Sequence, residues 1–349
     1  MASGIVHLSM RWAHHSAHSG YDRISAFMPE ATVLGRLPIG AAAPLYRRLF
    51  KRFVRPRIGN HPYSADNSLL ELNGRRHRIF HRTSLFHYLY GEENFRLLRS
   101  TSPRLVATFH HPPRFFAEWG VTGTYLRNLS GVVILGESQR SYFEGFVPPS
   151  SIHFVPHGID TEYFTPASPV RPEGGFRCLT VGSWLRDHET LRATAHAFQS
   201  SPGSDRVTFD IVGHPDGKKF YADCPNVTFS SNLSEPELLS LYHRADLAVI
   251  PLTDCVANNA LLEAMSCRVP VVVTDIGSIR DYANDTCAAF VPPGDPAALH
   301  QAISALRAAP SRREQLAGEA RRHIARFDWK VVASRMREAY TSILNPLPR

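Results

Sequence analysis

The chain has 349 residues, 43% hydrophobic and 20% charged, with 39 Lys+Arg against 31 Asp+Glu for a formal net charge of +8. These are the values of an ordinary globular protein, which excludes intrinsic disorder, a collagen-like repeat and a disulfide-dense scaffold; at ~150 residues per domain the length suggests two domains. Residues 1–165 hold 19 Lys+Arg and 11 Asp+Glu while residues 166–349 hold 20 of each, so the whole basic excess lies in the N-terminal half.

All five cysteines (Cys178, Cys224, Cys255, Cys267 and Cys287) lie in the second half. None forms a C-x-x-C pair and an odd number cannot all pair, so a reduced, cytoplasmic setting is expected. Met1–Tyr21 offers no secretory apolar core, and no apolar run approaches the ~18 residues of a membrane span.

Strands are predicted at Ile5–Ser9 and Ala31–Leu34. Pro44–Arg57 (PLYRRLFKRFVRPR) then reads as a helix. At about 100° per residue Arg47, Arg48, Lys51, Arg52 and Arg55 share an arc of roughly 140°. Leu45, Tyr46, Leu49, Phe50, Phe53 and Val54 fill the complementary arc. Seven basic residues and no acidic one lie between Arg36 and Arg57. Such a helix suits an anionic membrane surface or an acidic acceptor; the alternative is a packed helix whose charged face is merely solvated. No nucleic-acid-reading motif accompanies the charge.

Further strands are predicted at Leu85–Leu89, Leu105–Phe109, Val132–Leu135 and Ile152–Val155. The Pro/Gly-rich stretch Thr165–Gly175 reads as a linker. Beyond it come Cys178–Gly182, Val207–Val212, Val227–Ser230, Leu247–Pro251, Val269–Thr274 and Ala288–Val291. Short Val-rich runs suit parallel strands buried on both faces, with crossover helices between them. Ser234–Glu237 forms a capping box, Asp295-Pro296 an N-cap followed by Pro, and Ser311–Leu344 two helices broken near Phe327-Asp328.

No G-x-G-x-x-G, P-loop or H-E-x-x-H occurs, so neither a dinucleotide site nor a metal centre is supported; His14-His15-x-x-His18 lacks a regular element and a carboxylate. Asn258–Tyr282 (NNALLEAMSCRVPVVVTDIGSIRDY) resembles the signature region of the family 4 retaining glycosyltransferases. Phe154–Asp160 (FVPHGID), Asn226–Leu252, Val291–Leu299 and Phe327–Tyr340 extend the resemblance over roughly residues 150–345.

The resemblance implies an α/β GT-B fold of two Rossmann-like domains facing a central cleft: 1–164 for the acceptor, 165–328 for the nucleotide sugar, and 329–349 as a helix crossing back to the first domain. It implies a retaining, metal-independent transfer from a UDP- or GDP-sugar to a hydroxyl of a glycan, lipid-linked or small-molecule acceptor, with no cofactor and no nucleic-acid partner. The alternatives are a GT-B-like sugar-nucleotide epimerase and a non-catalytic nucleotide-sugar-binding or membrane-associated protein. Attachment to the inner face of the membrane is the corollary of the basic helix.

In such a site charge develops on a departing diphosphate, which helix N-termini and Arg can stabilise. Asn258 and Asn259 open a helix at a carboxyl strand end. Glu263 matches the glutamate that receives the donor ribose in the family. The family's first glutamate falls on Cys255, leaving Asp254 as the nearby carboxylate for the sugar, and the usual glycine is Arg268. Arg186, after Gly182, is the diphosphate candidate; a surface ion pair with Asp187 or Glu189 is its other reading. Gly213, His214, Ser231 and Asn232 are expected at the base. His110, of the family's H-x-P element, is expected beside the reacting groups with Asp254 and Arg186. Ser19, Gly20 and Tyr21 match a turn near diphosphate and acceptor.

Overall fold

The computed structural model describes residues 4–10, 18–58, 61–94, 104–121, 123–167, 175–200 and 207–345. His14, His15 and most of the linker lie outside the described residues. The chain divides into two compact units, residues 1–157 with 329–349, and residues 158–328.

The first unit holds β1 (Ile5–Leu8), β2 (Ala31–Leu34), β3 (Leu85–Tyr88), β4 (Leu105–Phe109), β5 (Gly131–Ile134) and β6 (Ile152–Phe154). They form one parallel sheet in the order β2-β1-β3-β4-β5-β6. All five residues of β4 and all four of β3 and β5 are buried, as expected of strands covered on both faces. The covering helices are α1 (Ala43–Phe53), α2 (Ala65–Phe80), and the short α3 (Pro113–Glu118), α4 (Gly123–Leu126) and α5 (Arg140–Glu144). A Cβ on Gly74 of α2 would meet Leu8 at 2.7 Å, so glycine sets how closely this helix rides on β1.

The second unit holds β7 (Phe176–Val181), β8 (Val207–Val212), β9 (Val227–Ser230), β10 (Leu247–Ile250), β11 (Val271–Thr274) and β12 (Ala289–Val291). Their parallel order is β12-β11-β10-β7-β8-β9, the doubly wound Rossmann arrangement. The helices are α6 (His188–Ser200), α7 (Glu235–Arg244), α8 (Asn259–Ser266), α9 (Pro296–Ala308) and α10 (Pro310–Ile324). The capping box at Ser234 forms, its backbone N–H donating to Glu237 at 2.7 Å, and Asp295 accepts from Ala298 N–H at 2.8 Å.

The last helix, α11 (Trp329–Leu344), belongs to the first unit. Tyr340 Oη lies 2.9 Å from His7 Nε2 on β1 and 2.5 Å from His87 Nδ1 on β3. The earlier division between units falls after His157, before the Pro/Gly-rich stretch taken from composition. The reason is packing: Ile159 and Phe164 are buried in the core of the second unit, and Ile159 N–H donates to Phe327 at 2.9 Å.

The basic helix is shorter than its amphipathic pattern. It ends at Phe53, and Arg55–Arg57 form a separate 3-10 turn; Pro56 disfavours the α conformation at the residue before it. The apolar arc also divides. Phe50 is buried against Tyr63 and Tyr46 bonds Ser68 Oγ at 2.7 Å, whereas Leu45, Leu49 and Phe53 stay exposed at 60%, 45% and 49%.

Candidate functional site

In a doubly wound sheet, ligands bind beyond the carboxyl ends of the strands where the order reverses. In the second unit that point lies between β7 and β10. The loop after β7 carries Gly182 and Arg186; the loop after β10 carries Asp254 and leads into α8. Gly182 has φ 96°, and a Cβ there would meet the Arg186 guanidinium at 2.9 Å. Arg186 folds back so that Nε donates to Val181 O at 2.9 Å and Nη2 reaches Asn258 Oδ1 at 3.4 Å. Asp187 instead accepts from Thr190 N–H and Oγ, at 2.9 and 2.7 Å, so the ion-pair reading of Arg186 does not describe this loop.

Asn258 is the N-cap of α8, its Oδ1 accepting from Leu261 N–H at 3.0 Å. Asn259 is the exposed first residue of that helix. Glu263 is buried one turn further on and accepts from Tyr242 Oη at 2.7 Å. Burial pushes its carboxyl up to about 7, against the opposing pull of the Tyr242 hydroxyl and the Arg186 charge. Gly182, Arg186, Asn258 and Glu263, named from separate stretches of sequence, are therefore brought together.

Asp254 accepts from Cys255 N–H at 2.8 Å. Cys255 is buried, and burial pushes its thiol up to about 12, so it serves as a small core residue where the family pattern has a carboxylate. The loop is clamped by Gly277-Ser278: Ser278 N–H donates to Cys255 O at 3.0 Å. Arg268 has φ 58°, a conformation glycine adopts without strain, which explains the family's glycine there; its guanidinium pairs with Glu314 on the surface.

The expected base-binding loops also converge. His214 N–H donates to Ser183 Oγ at 2.5 Å and Gly213 N–H to Ser230 O at 3.0 Å. Ser231 and Asn232 follow β9, Asn232 in the left-handed region at φ 54°. His188 turns away, bonding Tyr221 Oη at 2.8 Å and stacking on Phe220. Among the described residues, His196 of α6 and Asp223 and Cys224 of the segment before β9 bring three potential metal ligands within 4.8 Å of one another. Asp223 there is already engaged by Arg192.

In the first unit the order reverses between β1 and β3. Here His110 Nδ1 lies 3.2 Å from Glu92 Oε1, and its ring stacks on Tyr90 at 4.6 Å and meets Tyr21 edge-on at 5.0 Å. Tyr21 N–H donates to Tyr90 Oη at 3.2 Å, and Gly20 makes the turn at φ 97°. Ser19 is half-buried beside them. His110 is thus held by a carboxylate rather than by loop backbone, and its Nε2 has no hydrogen-bond partner among the described residues. Burial opposes the charge of Glu92, but His110 and His111 together hold it below the usual carboxylate range. Glu92 and Tyr90 are absent from the sequence-derived set; the run Gly91-Glu92-Glu93-Asn94 directly after a strand was the available signal.

Residues 175–308 match the profile of the family described as Glycosyl transferases group 1. D-inositol 3-phosphate glycosyltransferase of Geodermatophilus obscurus is 29% identical over 54% of this chain and 46% of its own length. Phosphatidyl-myo-inositol mannosyltransferase of Mycobacterium leprae is 24% identical over 70% and 69%. The chain spans about half the length of the inositol phosphate glycosyltransferases it matches. Sucrose-phosphate synthase of Thermosynechococcus elongatus superposes with a TM-score of 0.71 at 16% identity, covering 98% of this chain and 99% of that one. Anabaena HepE, solved in complex with UDP-glucose, gives 0.67 at 16% over 97% and 99%. The fold is that of the GT-B glycosyltransferases. Within it, residues 175–308 of the second unit are similar to the group 1 glycosyl transferases.

Proposed function

We propose that the protein is a retaining glycosyltransferase of the family 4 type, moving a sugar from a nucleotide sugar to a hydroxyl acceptor. The observation that carries this reading is the convergence of Arg186, the Asn258-capped end of α8 and buried Glu263 at the switch point of the second sheet. Glu263 takes the ribose hydroxyls, while Arg186 and the free N–H groups of α8 take the diphosphate. Asp254 stands nearest for the sugar. Gly213, His214, Ser231 and Asn232 border the base. The first unit presents the acceptor hydroxyl, with His110 and the Ser19–Tyr21 turn beside it. In the transfer the bond from the sugar's anomeric carbon to the phosphate oxygen breaks and a bond to the acceptor oxygen forms on the same face. The acceptor's proton passes to the departing phosphate. A UDP- or GDP-sugar is the co-substrate, and the charge on the diphosphate is met by Arg186 and the helix end without a resident metal or cofactor.

A thermal-shift screen of UDP- and GDP-sugars, followed by transfer assays, tests the reading. A donor at 100 times its dissociation constant should stabilise the fold by ~2.7 kcal/mol. Glu263→Ala should abolish transfer. Full activity in that variant, or strict dependence on an added divalent ion, would sink the assignment. Isomerised or hydrolysed donor without acceptor would mark an epimerase, and binding without turnover a non-catalytic receptor.

The exposed face of α1 supports a second element of the reading, reversible attachment to an anionic membrane that carries or borders the acceptor. Leu45, Leu49 and Phe53 lie outward beside Arg48, Lys51 and Arg52. Of the other predicted basic residues, Arg47 pairs with Asp66 at 3.1 Å and Arg55 donates to His61 O at 2.8 Å, so those two chiefly anchor the helix. Three outward charges contribute ~1 kcal/mol each at an anionic surface. Sedimentation with phosphatidylserine vesicles should fall when Arg48, Lys51 and Arg52 are made Ser. No helix among the described residues is long and apolar enough to cross a membrane.

A further inference from the structure

Residues 222–226 lead from a 3-10 turn (Pro215–Tyr221) into β9 and are fastened along α6. Asn226 Nδ2 donates to Ala195 O at 3.0 Å, and Gln199 Nε2 donates to Asn226 Oδ1 at 2.7 Å. Cys224 is held by backbone on both sides, its N–H donating to Tyr221 O at 3.1 Å and its carbonyl accepting from Val227 at 3.0 Å. This docking brings an imidazole, a carboxylate and a thiol together. His196 Nε2 lies 3.2 Å from Asp223 Oδ2 and 3.5 Å from Cys224 Sγ, and that sulfur lies 3.7 Å from Asp223 Oδ1. Cys224 forms the floor at 4% exposure, while the His196 and Asp223 side chains are 36% and 50% exposed, so an ion can reach them from solvent.

Thiolate, imidazole and carboxylate are the ligands of zinc, with bonds of about 2.3, 2.0–2.1 and 2.0–2.2 Å. A tetrahedron built on those bonds has edges of about 3.3–3.6 Å, so the three contacts have the spacing of ligands around one common centre. Hydrogen bonding uses the trio only in part, because Nε2 has at most one proton to share between the carboxylate and the sulfur. Around one cation all three act as lone-pair donors. Arg192 grips the same carboxylate, its Nε donating to Oδ1 at 3.1 Å and its Nη2 to Oδ2. A carboxylate offers about four acceptor sites, so Arg192 orients Asp223 as an outer partner and leaves lone pairs for an ion.

We propose that His196, Asp223 and Cys224 form a zinc site that clips α6 to the segment entering β9, with water in the fourth position. Cys224 binds as the thiolate, its proton passing to solvent, so two anionic ligands meet the two charges of the ion. The thiolate and imidazole select zinc over magnesium and calcium, which take shells of oxygen. His196 stands about two turns along α6 from its start at His188, apart from the loop of Gly182 and Arg186. The site therefore needs no nucleotide sugar, and its test is independent of the transferase reading.

The full chain, reduced and stripped with EDTA, is titrated with zinc against a fluorescent chelator and, separately, with cobalt(II) followed by absorption. One zinc per chain should bind with a dissociation constant tighter than about 10 µM. Cobalt should show thiolate charge-transfer absorption together with the visible bands of a tetrahedral ion, whereas an adventitious ion held by histidines alone gives no thiolate band. Loss of an outer partner costs about 10- to 100-fold in metal affinity, so loss of a ligand in Cys224→Ser or His196→Asn should cost about 100-fold or more. Cys224→Ser should also erase the thiolate band, while Cys287→Ala, in the core elsewhere, keeps it. His196 is half-exposed on its helix, so His196→Asn tests the site without disturbing the core. Zinc at 100 times its dissociation constant should raise the melting temperature of the wild type by several degrees, and that same concentration should leave both ligand variants unmoved. Zinc weaker than about 10 µM, cobalt without thiolate absorption, or wild-type affinity in either ligand variant would overturn the proposal.

Discussion

In the proposed function, Glu263 couples donor capture to pH. Ribose hydroxyls donate to the ionised form, so a group held near 7 should bind donor better as pH rises from 6 to 8. Hydrogen bonds to a charged group are worth ~1.5–3 kcal/mol, so Glu263→Gln should weaken donor binding about 10- to 100-fold and flatten its pH profile; calorimetry at three pH values checks both. The stability effect has the opposite sign. Between the ordinary 4.5 and about 7 the native carboxyl keeps a proton that the unfolded chain has released. Its contribution therefore falls as pH rises through that window, and Glu263→Gln removes this slope. Binding and folding pull on the same proton in opposite directions.

At the scale of elements, the loop that follows β10 depends on one glycine. A Cβ on Gly277 would lie 2.0 Å from Cys255 O, and its φ of +59° is left-handed. Gly294 has φ +67° with nothing within 4 Å. Gly294→Ala should cost only the backbone strain, ~1–2 kcal/mol. Gly277→Ala must also displace backbone, and should lower the melting temperature by several degrees more and weaken donor binding, since Asp254 and Asn258 ride on that loop; paired thermal melts with and without donor compare the two. The same scale explains what the sequence could show. Each strand is marked by its own Val-rich run, and the α8 region is contiguous, so Asn258 and Glu263 were legible together. Arg186 was legible from its place after a strand. Glu92 was not, because its pairing with His110 joins the loops after β3 and β4, and no local spacing links those. For α1 the amphipathic pattern was visible, but which apolar residues dock was decided by Tyr63 and Ser68, distant in sequence.

For the molecule as a whole, the tie between α11 and the first sheet is a chain of buried polar groups. Ser25 Oγ lies 2.8 Å from His7 Nδ1, Tyr340 Oη joins His7 to His87, and His87 Nε2 lies 2.7 Å from Thr108 Oγ1. Burial lowers His7 from 6.5 to about 4, with Glu30 opposing, and holds His87 well below 6.5 as well. Between those values the unfolded chain binds protons that the native one refuses, so stability is lost as pH falls from 6.5 towards 4. Tyr340→Phe should leave both rings short of a partner and cost ~1–3 kcal/mol at neutral pH. Urea titrations of the two proteins at pH 7 and pH 5 would show the first difference and the acid sensitivity of both.

That tie also sets a birth order. During synthesis, residues 158–328 leave the ribosome as one uninterrupted length, whereas the first unit waits for Tyr340 before His7 and His87 can be joined. The later-made unit is therefore the earlier completed. Until the last helix emerges, the nascent N-terminal sheet exposes a polar seam in its interior and is a natural client for chaperones. A chain truncated after residue 328 should resist proteolysis in its second unit and be cut in its first. Restoring α11 should close that window.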